Sequence, residues 1–169
     1  MVKFIVKKTF WELMDSFVVL DKFRKVLYRA KSKRNILNKE FFLYDVSDNL
    51  QARISKELDQ THLFYHIEVD GKKVATITTN KGFTTKEFTV EPQEMVTKHN
   101  RSKLVCTLIQ NGKPVGTVRT KLFRFKKTYT VRIEEPSEAL MFIMFALTMF
   151  IDERDPSFFG SIFKKMDWF

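Results

Sequence analysis

Ala139-Leu-Met-Phe-Ile-Met-Phe-Ala-Leu-Thr-Met-Phe-Ile151 is a thirteen-residue run in which Thr148 is the only polar side chain. Ala, Leu and Met favour a helix. Pro136-Ser137-Glu138 supplies a start signal, with Ser137 able to cap and Glu138 favourable at the positive end of the helix dipole. Pro156 bounds the other side, and the predicted helix covers 138–151. A helix that is apolar on every face must be surrounded by protein or by lipid. Thirteen residues span about 20 Å at roughly 1.5 Å per residue. The hydrocarbon core of a bilayer is about 30 Å thick and takes around 20 residues to cross. The expectation is a core helix wrapped by the rest of the chain, with a membrane-inserted segment as the alternative.

The wrapping is legible upstream as a recurring hairpin unit. Tyr65-His-Ile-Glu-Val-Asp-Gly-Lys-Lys-Val-Ala-Thr-Ile77 and Cys106-Thr-Leu-Ile-Gln-Asn-Gly-Lys-Pro-Val-Gly-Thr-Val118 match position for position around the turn. Asp70-Gly71 and Asn111-Gly112 suit type I′ turns, which need positive φ at both central residues. Phe42–Ile54 is a looser copy, and Phe17–Ala30 another with a longer turn. Lys3–Lys7, Lys86–Val90 and Tyr129–Ile133 are further β candidates, the last following a bend at Lys126-Lys127. In Tyr129–Ile133, Tyr129, Val131 and Ile133 share one face and Thr130 and Arg132 the other. The total is about 11–12 short strands, the spacing of an all-β sandwich or barrel rather than a parallel α/β sheet.

A chain of 169 residues is the size of one domain and buries most of its apolar surface without staples. The domain is expected over 1–155, followed by a tail over 156–169. Cys106 is the only cysteine, so no intramolecular disulfide forms and nothing points to an oxidising compartment. The apolar run Phe4–Val6 is far shorter than the roughly 7–15 residues of a signal-peptide core. A cytoplasmic location is the expectation. The formal net charge is +10, and it is unevenly spread along the chain. Lys22 to Lys39 holds eight Lys or Arg and no carboxylate, and Met95 to Ile133 holds ten, again with none. Either these runs meet on one face or strand alternation scatters them around a barrel; both readings stay open.

The order of these features resembles the LURP-one-related family of tubby C-terminal-like domains. The resemblance runs from about Phe4 to Asp152. It rests on Phe4-Ile-Val-Lys and Asp15-Ser-Phe17, the repeated hairpins, Lys121-Leu-Phe-Arg-Phe-Lys-Lys-Thr-Tyr-Thr-Val131, and the closing helix running into Ile151-Asp152. It implies an antiparallel β-barrel enclosing a hydrophobic C-terminal helix, and a chain of this length is similar to the small bacterial members. It supplies no established reaction. Wider relatives include tubby proteins, which look to phosphoinositide headgroups, and phospholipid scramblases, which act at membranes.

Catalytic constellations are thin. His62, His66 and His99 are the only histidines, and one cysteine cannot complete a structural zinc set. His66 alternates with Tyr65 and Ile67 and reads as a solvated or hydrogen-bonded strand residue. Cys106 lies in an apolar strand and reads as a small core side chain rather than a nucleophile. No Gly-rich phosphate loop is present. Asp152, Glu153 and Asp155 offer oxygen ligands for calcium but lack the rest of a binding loop, so a solvated helix exit is preferred and no metal or cofactor is expected.

The strongest candidate is the basic hairpin of Arg119, Lys121, Arg124, Lys126, Lys127 and Arg132, where Arg is able to fork onto phosphate oxygens and Lys to add a point charge. Phe123 and Phe125 flank Arg124 and are able to place apolar edges at a membrane interface. The plain alternative is a solvated outer face with both Phe turned inward. The tail is the second candidate. Phe158, Phe159, Ile162 and Phe163 recur at helical spacing, and Trp168 and Phe169 add apolar area. Either the tail seals the barrel mouth or it offers a sticky surface to a protein partner, a second copy or a membrane.

The functional expectation is a non-enzymatic binding module, peripheral to the membrane, docking on anionic phospholipid headgroups or another phosphorylated partner through a basic outer face. The alternative is a structural or protein-interaction domain that uses the aromatic tail. Nucleic-acid binding ranks third, because it needs aromatics exposed for stacking and the core claims most of the Phe residues. Small-molecule cargo in the lumen is disfavoured, because the helix fills the space such barrels use.

Overall fold

The computed structural model describes residues 1–9, 16–34, 39–59, 61–80, 87–100, 104–123 and 126–152. Twelve antiparallel strands follow in chain order: β1 (Val2–Thr9), β2 (Ser16–Leu20), β3 (Val26–Arg34), β4 (Lys39–Asp45), β5 (Leu50–Leu58) and β6 (His62–Val69). They continue with β7 (Lys72–Asn80), β8 (Phe88–Glu91), β9 (Met95–Asn100), β10 (Val105–Gln110), β11 (Lys113–Phe123) and β12 (Lys126–Ile133). Each strand pairs with its sequence neighbours, and β12 closes onto β1 with Val2 opposite Ile133 and Lys7 opposite Thr128. The ring leaves no open sheet edge. A 3-10 turn (Pro136–Glu138) then feeds helix α1 (Ala139–Asp152). Ser137 sits inside that turn rather than at a capping position, and no side chain caps its start; Pro136 at the first position does the initiating.

The hairpin repeat has a structural counterpart finer than the turn. In β2–β3, β4–β5, β6–β7 and β10–β11 the register shifts once beside the turn, leaving Leu27, Gln51, Val74 and Val115 as the extra residues. Such bulges increase local twist and help a sheet curl closed. Asp70-Gly71 and Asn111-Gly112 take positive φ at both positions, as type I′ turns require. The other two hairpins share a different solution. Asp21 and Asp45 each accept two backbone N–H groups, from Phe23 and Lys25 and from Ser47 and Asn49, at 2.8–2.9 Å. Arg24 and Asp48 take the left-handed conformation three residues on.

The strand missing from the sequence reading is β9. Its inward positions include Thr97 and His99, so no apolar alternation marks it. Thr97 Oγ1 instead accepts the Phe88 N–H at 2.9 Å, tying β9 to β8 from inside. Lys126 and Lys127, read as a bend, belong to β12, where they pair with Phe123 and Leu122.

Helix α1 fills the lumen. From Phe142 to Ile151 every residue is buried, and rings from several walls meet it. Phe88 meets Phe145 edge-on at 5.5 Å, Phe17 lies 5.0 Å from Phe150, and Tyr129 lies 4.0 Å from Phe150 between centroids. Thr148, the lone polar residue, donates its hydroxyl hydrogen to the Met144 carbonyl at 2.9 Å and needs no other partner. Room for the helix comes from small inward residues just past the bulges, Ala52, Ala75 and Gly116. At Gly116 the fit is closest, because a Cβ built there would stand 2.2 Å from the Phe142 ring.

Two outcomes test this packing. Gly116→Ala should destabilise the protein by about 1–3 kcal/mol through overpacking. Adding Phe142→Leu should recover part of that loss, a non-additivity read from denaturant midpoints. Phe145→Asp places a carboxylate among rings with no partner and should abolish cooperative unfolding; a folded, soluble variant would overturn the central-helix assignment.

Candidate functional site

Because the lumen is occupied, side chains that meet a partner must project from the outer wall or the rims. The ring order places the two basic runs side by side. Strands β9, β10, β11, β12, β1, β2 and β3 are consecutive around the barrel, and they carry fourteen Lys or Arg and no Asp or Glu. The remaining five, β4 to β8, carry five basic and five acidic residues. The seam is β1, which adds Lys3, Lys7 and Lys8 between the two runs.

Arg119, Lys121 and Arg132 are all exposed on this wall. Arg132 stands opposite Thr117 on β11 and Lys3 on β1, which makes it a diagonal neighbour of Arg119. Arg119 is flanked by Thr130 and Val105, while Thr128 separates Lys121 from Lys7. Thr128 thus holds Lys121 and Lys7 about two strand spacings, roughly 10 Å, apart, and Thr130 and Thr117 stand opposite Arg119 and Arg132, while Lys3 and Arg132 are directly opposed. None of Lys3, Lys7, Arg29, Lys31, Arg119, Lys121 and Arg132 forms an ion pair among the described residues. The ion pairs described there lie across the barrel, Arg53 with Glu40 and Glu68, and His66 with Glu57. Arg124 lies outside the described residues, and Lys126 and Lys127 are described in backbone only.

The β2–β3 turn continues the basic wall onto one rim. Lys22, Phe23, Arg24 and Lys25 are exposed there, and Phe23 is 78% exposed with the Lys22 ammonium 4.9 Å from its ring centroid. The two Asp21 hydrogen bonds hold the loop in shape, so the ring is presented rather than collapsed. Sequence reasoning assigned the apolar edge to Phe123 and Phe125, whose side chains fall outside the description. Phe158, Phe159, Ile162, Phe163, Trp168 and Phe169 also lie outside it, as do Glu153 and Asp155.

Other candidates resolve into structural roles. His66 is held by Glu57 at 2.7 Å and by Thr76 at 3.1 Å. Cys106 is 2% exposed, and loss of solvation pushes its thiol up to about 12, with a Thr97 hydrogen bond acting in the opposite direction. A thiol so held is a poor nucleophile at neutral pH. Among the described residues no group of three His, Cys, Asp or Glu is placed to hold a metal ion, and no helix is long and apolar enough to cross a membrane.

The residues that sequence reasoning left out are Lys3, Lys7, Arg29 and Lys31. The signal was present, since Met1 to Thr9 also lacks a carboxylate, but only the pairing of β1 with both β12 and β2 turns three separate stretches into one arc.

No curated protein matches the chain. The family model for LURP-one-related proteins matches residues 2–152, from the first residue of β1 to the last of α1. Tubby-like barrels of this kind are generally non-catalytic and fit a binding or interaction module. With a closed twelve-stranded barrel, a C-terminal helix in its lumen and a match over nearly the whole described chain, the protein belongs to the LURP-one-related family.

Proposed function

We propose that this is a non-enzymatic docking module, cytoplasmic and peripheral to the membrane, whose acid-free wall binds anionic phospholipid headgroups. The observation that carries the reading is the charge division of the barrel, fourteen cations without a carboxylate on seven adjacent strands against balance on the other five. Like charges gathered on one face raise the free energy of the isolated protein and are relieved by an anionic partner. Each Lys or Arg brought to such a membrane contributes about 1 kcal/mol, falling off within a Debye length of about 8–10 Å. Phe23 at the rim of the same arc adds an apolar contact flanked by Lys22 and Arg24, a pairing suited to the headgroup boundary. The protein-interaction reading through the aromatic tail depends on residues outside the described set. Among the described residues, nucleic-acid binding through the same wall lacks exposed rings for bases to stack on, Phe23 apart.

Flotation with phosphatidylcholine vesicles, with and without phosphatidylserine, tests the proposal. Binding should require phosphatidylserine and fall steeply with salt. Arg119→Ala and Arg132→Ala should each weaken it by roughly fivefold, the equivalent of about 1 kcal/mol. Lys72→Ala and Lys73→Ala, on the charge-balanced side, should leave it nearly unchanged. Equal and negligible binding to both vesicle types would sink the reading, and a salt-dependent shift of a labelled oligonucleotide in its place would favour nucleic acid.

A further inference from the structure

The basic wall is not uniform. Between β1 and β3 it is cut by a trench along β2, because β2 sets the short side chains of Ser16, itself buried, and Val18 between neighbours that turn out long cations. The pairing register fixes the layout. Lys31 stands opposite Ser16 and Ser16 opposite Thr9; one row along, Arg29 stands opposite Val18 and Val18 opposite Lys7. The resulting cleft has a volume of about 220 Å³, with the Thr9 and Ser16 side chains at one end and Arg29 and Lys31 along one side. The Thr9 and Ser16 hydroxyls are hydrogen bonded to each other. Two hydroxyls sharing one such bond have one O–H left to donate elsewhere. Arg29 and Lys31 are exposed, two residues apart on one strand face, and neither is paired with a carboxylate among the described residues.

We infer that this cleft is a binding site for a single phosphate monoester group. Two cations, Arg29 and Lys31, line the cleft, Lys7 stands beside it opposite Val18, and among the described residues the lining holds no acidic side chain, which favours a doubly charged anion over a singly charged one. The Arg29 guanidinium is able to fork onto two phosphate oxygens while Lys31 and the spare hydroxyl reach others. Ligand pockets for whole drug-sized molecules run to roughly 300–1,000 Å³. At 220 Å³ the cleft suits one tetrahedral oxyanion whose remaining substituent projects into solvent or into a bilayer. The inference deepens the membrane reading, because a monoester headgroup is one source of such a group, but a soluble phosphate monoester satisfies the same chemistry.

Two measurements on the full chain test it. The first is thermal unfolding at constant ionic strength with chloride replaced by inorganic phosphate or glycerol 3-phosphate. Ligand that binds only the folded state raises Tm with concentration. Wild type should show that rise, whereas Arg29→Gln and Lys31→Gln should need roughly tenfold or more ligand for the same shift. Val18→Met keeps every cation and fills the trench, so it should remove the effect while leaving general electrostatics intact. The second is flotation on vesicles of matched charge containing either phosphatidic acid, a monoester, or phosphatidylserine, a diester. Preference for phosphatidic acid that disappears in Val18→Met assigns the site to a lipid. A phosphate-dependent Tm rise without that preference assigns it to a soluble monoester. No Tm rise with phosphate, or a rise that Val18→Met retains, overturns the site. Neither result touches phosphatidylserine binding by the wider wall, so the two proposals fail separately.

Discussion

Helix α1 and the barrel solve each other's problem. A fourteen-residue helix with no polar face has nowhere to go in water, and a ring of twelve strands has a lumen wider than its own inward side chains fill in the small eight-stranded barrels. Placing one inside the other buries both apolar surfaces at once. The cost is a demand for room, met by inward Ala52, Ala75 and Gly116, which stand at corresponding positions in three hairpins. Because those positions follow a bulge in each case, the feature that bends the strands also helps seat the helix.

The occupied interior decides where function is able to reside. With the lumen occupied, a partner is able to meet only the wall or the rims, and on the wall the chain has separated its charges by strand. Among the described residues the ion pairs of Arg53 with Glu40 and Glu68 lie on the balanced side, where desolvation of Arg53 is offset by the two carboxylates that hold its guanidinium firmly charged. Such pairs add little to stability on a surface. On the arc of seven strands without a carboxylate, Lys7, Arg29, Lys31, Arg119, Lys121 and Arg132 face solvent.

Much of this architecture was legible. The apolar run 139–151, the two Asx-Gly turns and the matching hairpins define a β-barrel around a helix, because turn chemistry and hydrophobic pattern both act locally. What escaped the sequence were features that depend on neighbours. Strand β9 carries polar residues inward because Thr97 serves the Phe88 N–H, a partner brought in across a turn. Lys126 and Lys127 read as a bend until pairing with Phe123 and Leu122 extended β12 through them. The joining of the two basic runs was invisible for the same reason. Residues 22–39 and 95–133 are distant in sequence, and only closure of β12 onto β1 makes them adjacent.

That closure also explains why the wall tolerates its charge. Cations on the wall mostly stand opposite Thr117, Thr128 and Thr130 rather than opposite one another, with Lys3 opposite Arg132, and Arg34 opposite Lys39 at the β3–β4 edge, as exceptions among the described residues. Directly opposed like charges destabilise a sheet, so a chain selected for stability alone would place a carboxylate at one of those positions. Here none appears on any of the seven strands, while the other five use five. The arrangement therefore gives up a modest amount of folding stability, and the tightly packed helix is what makes that tolerable.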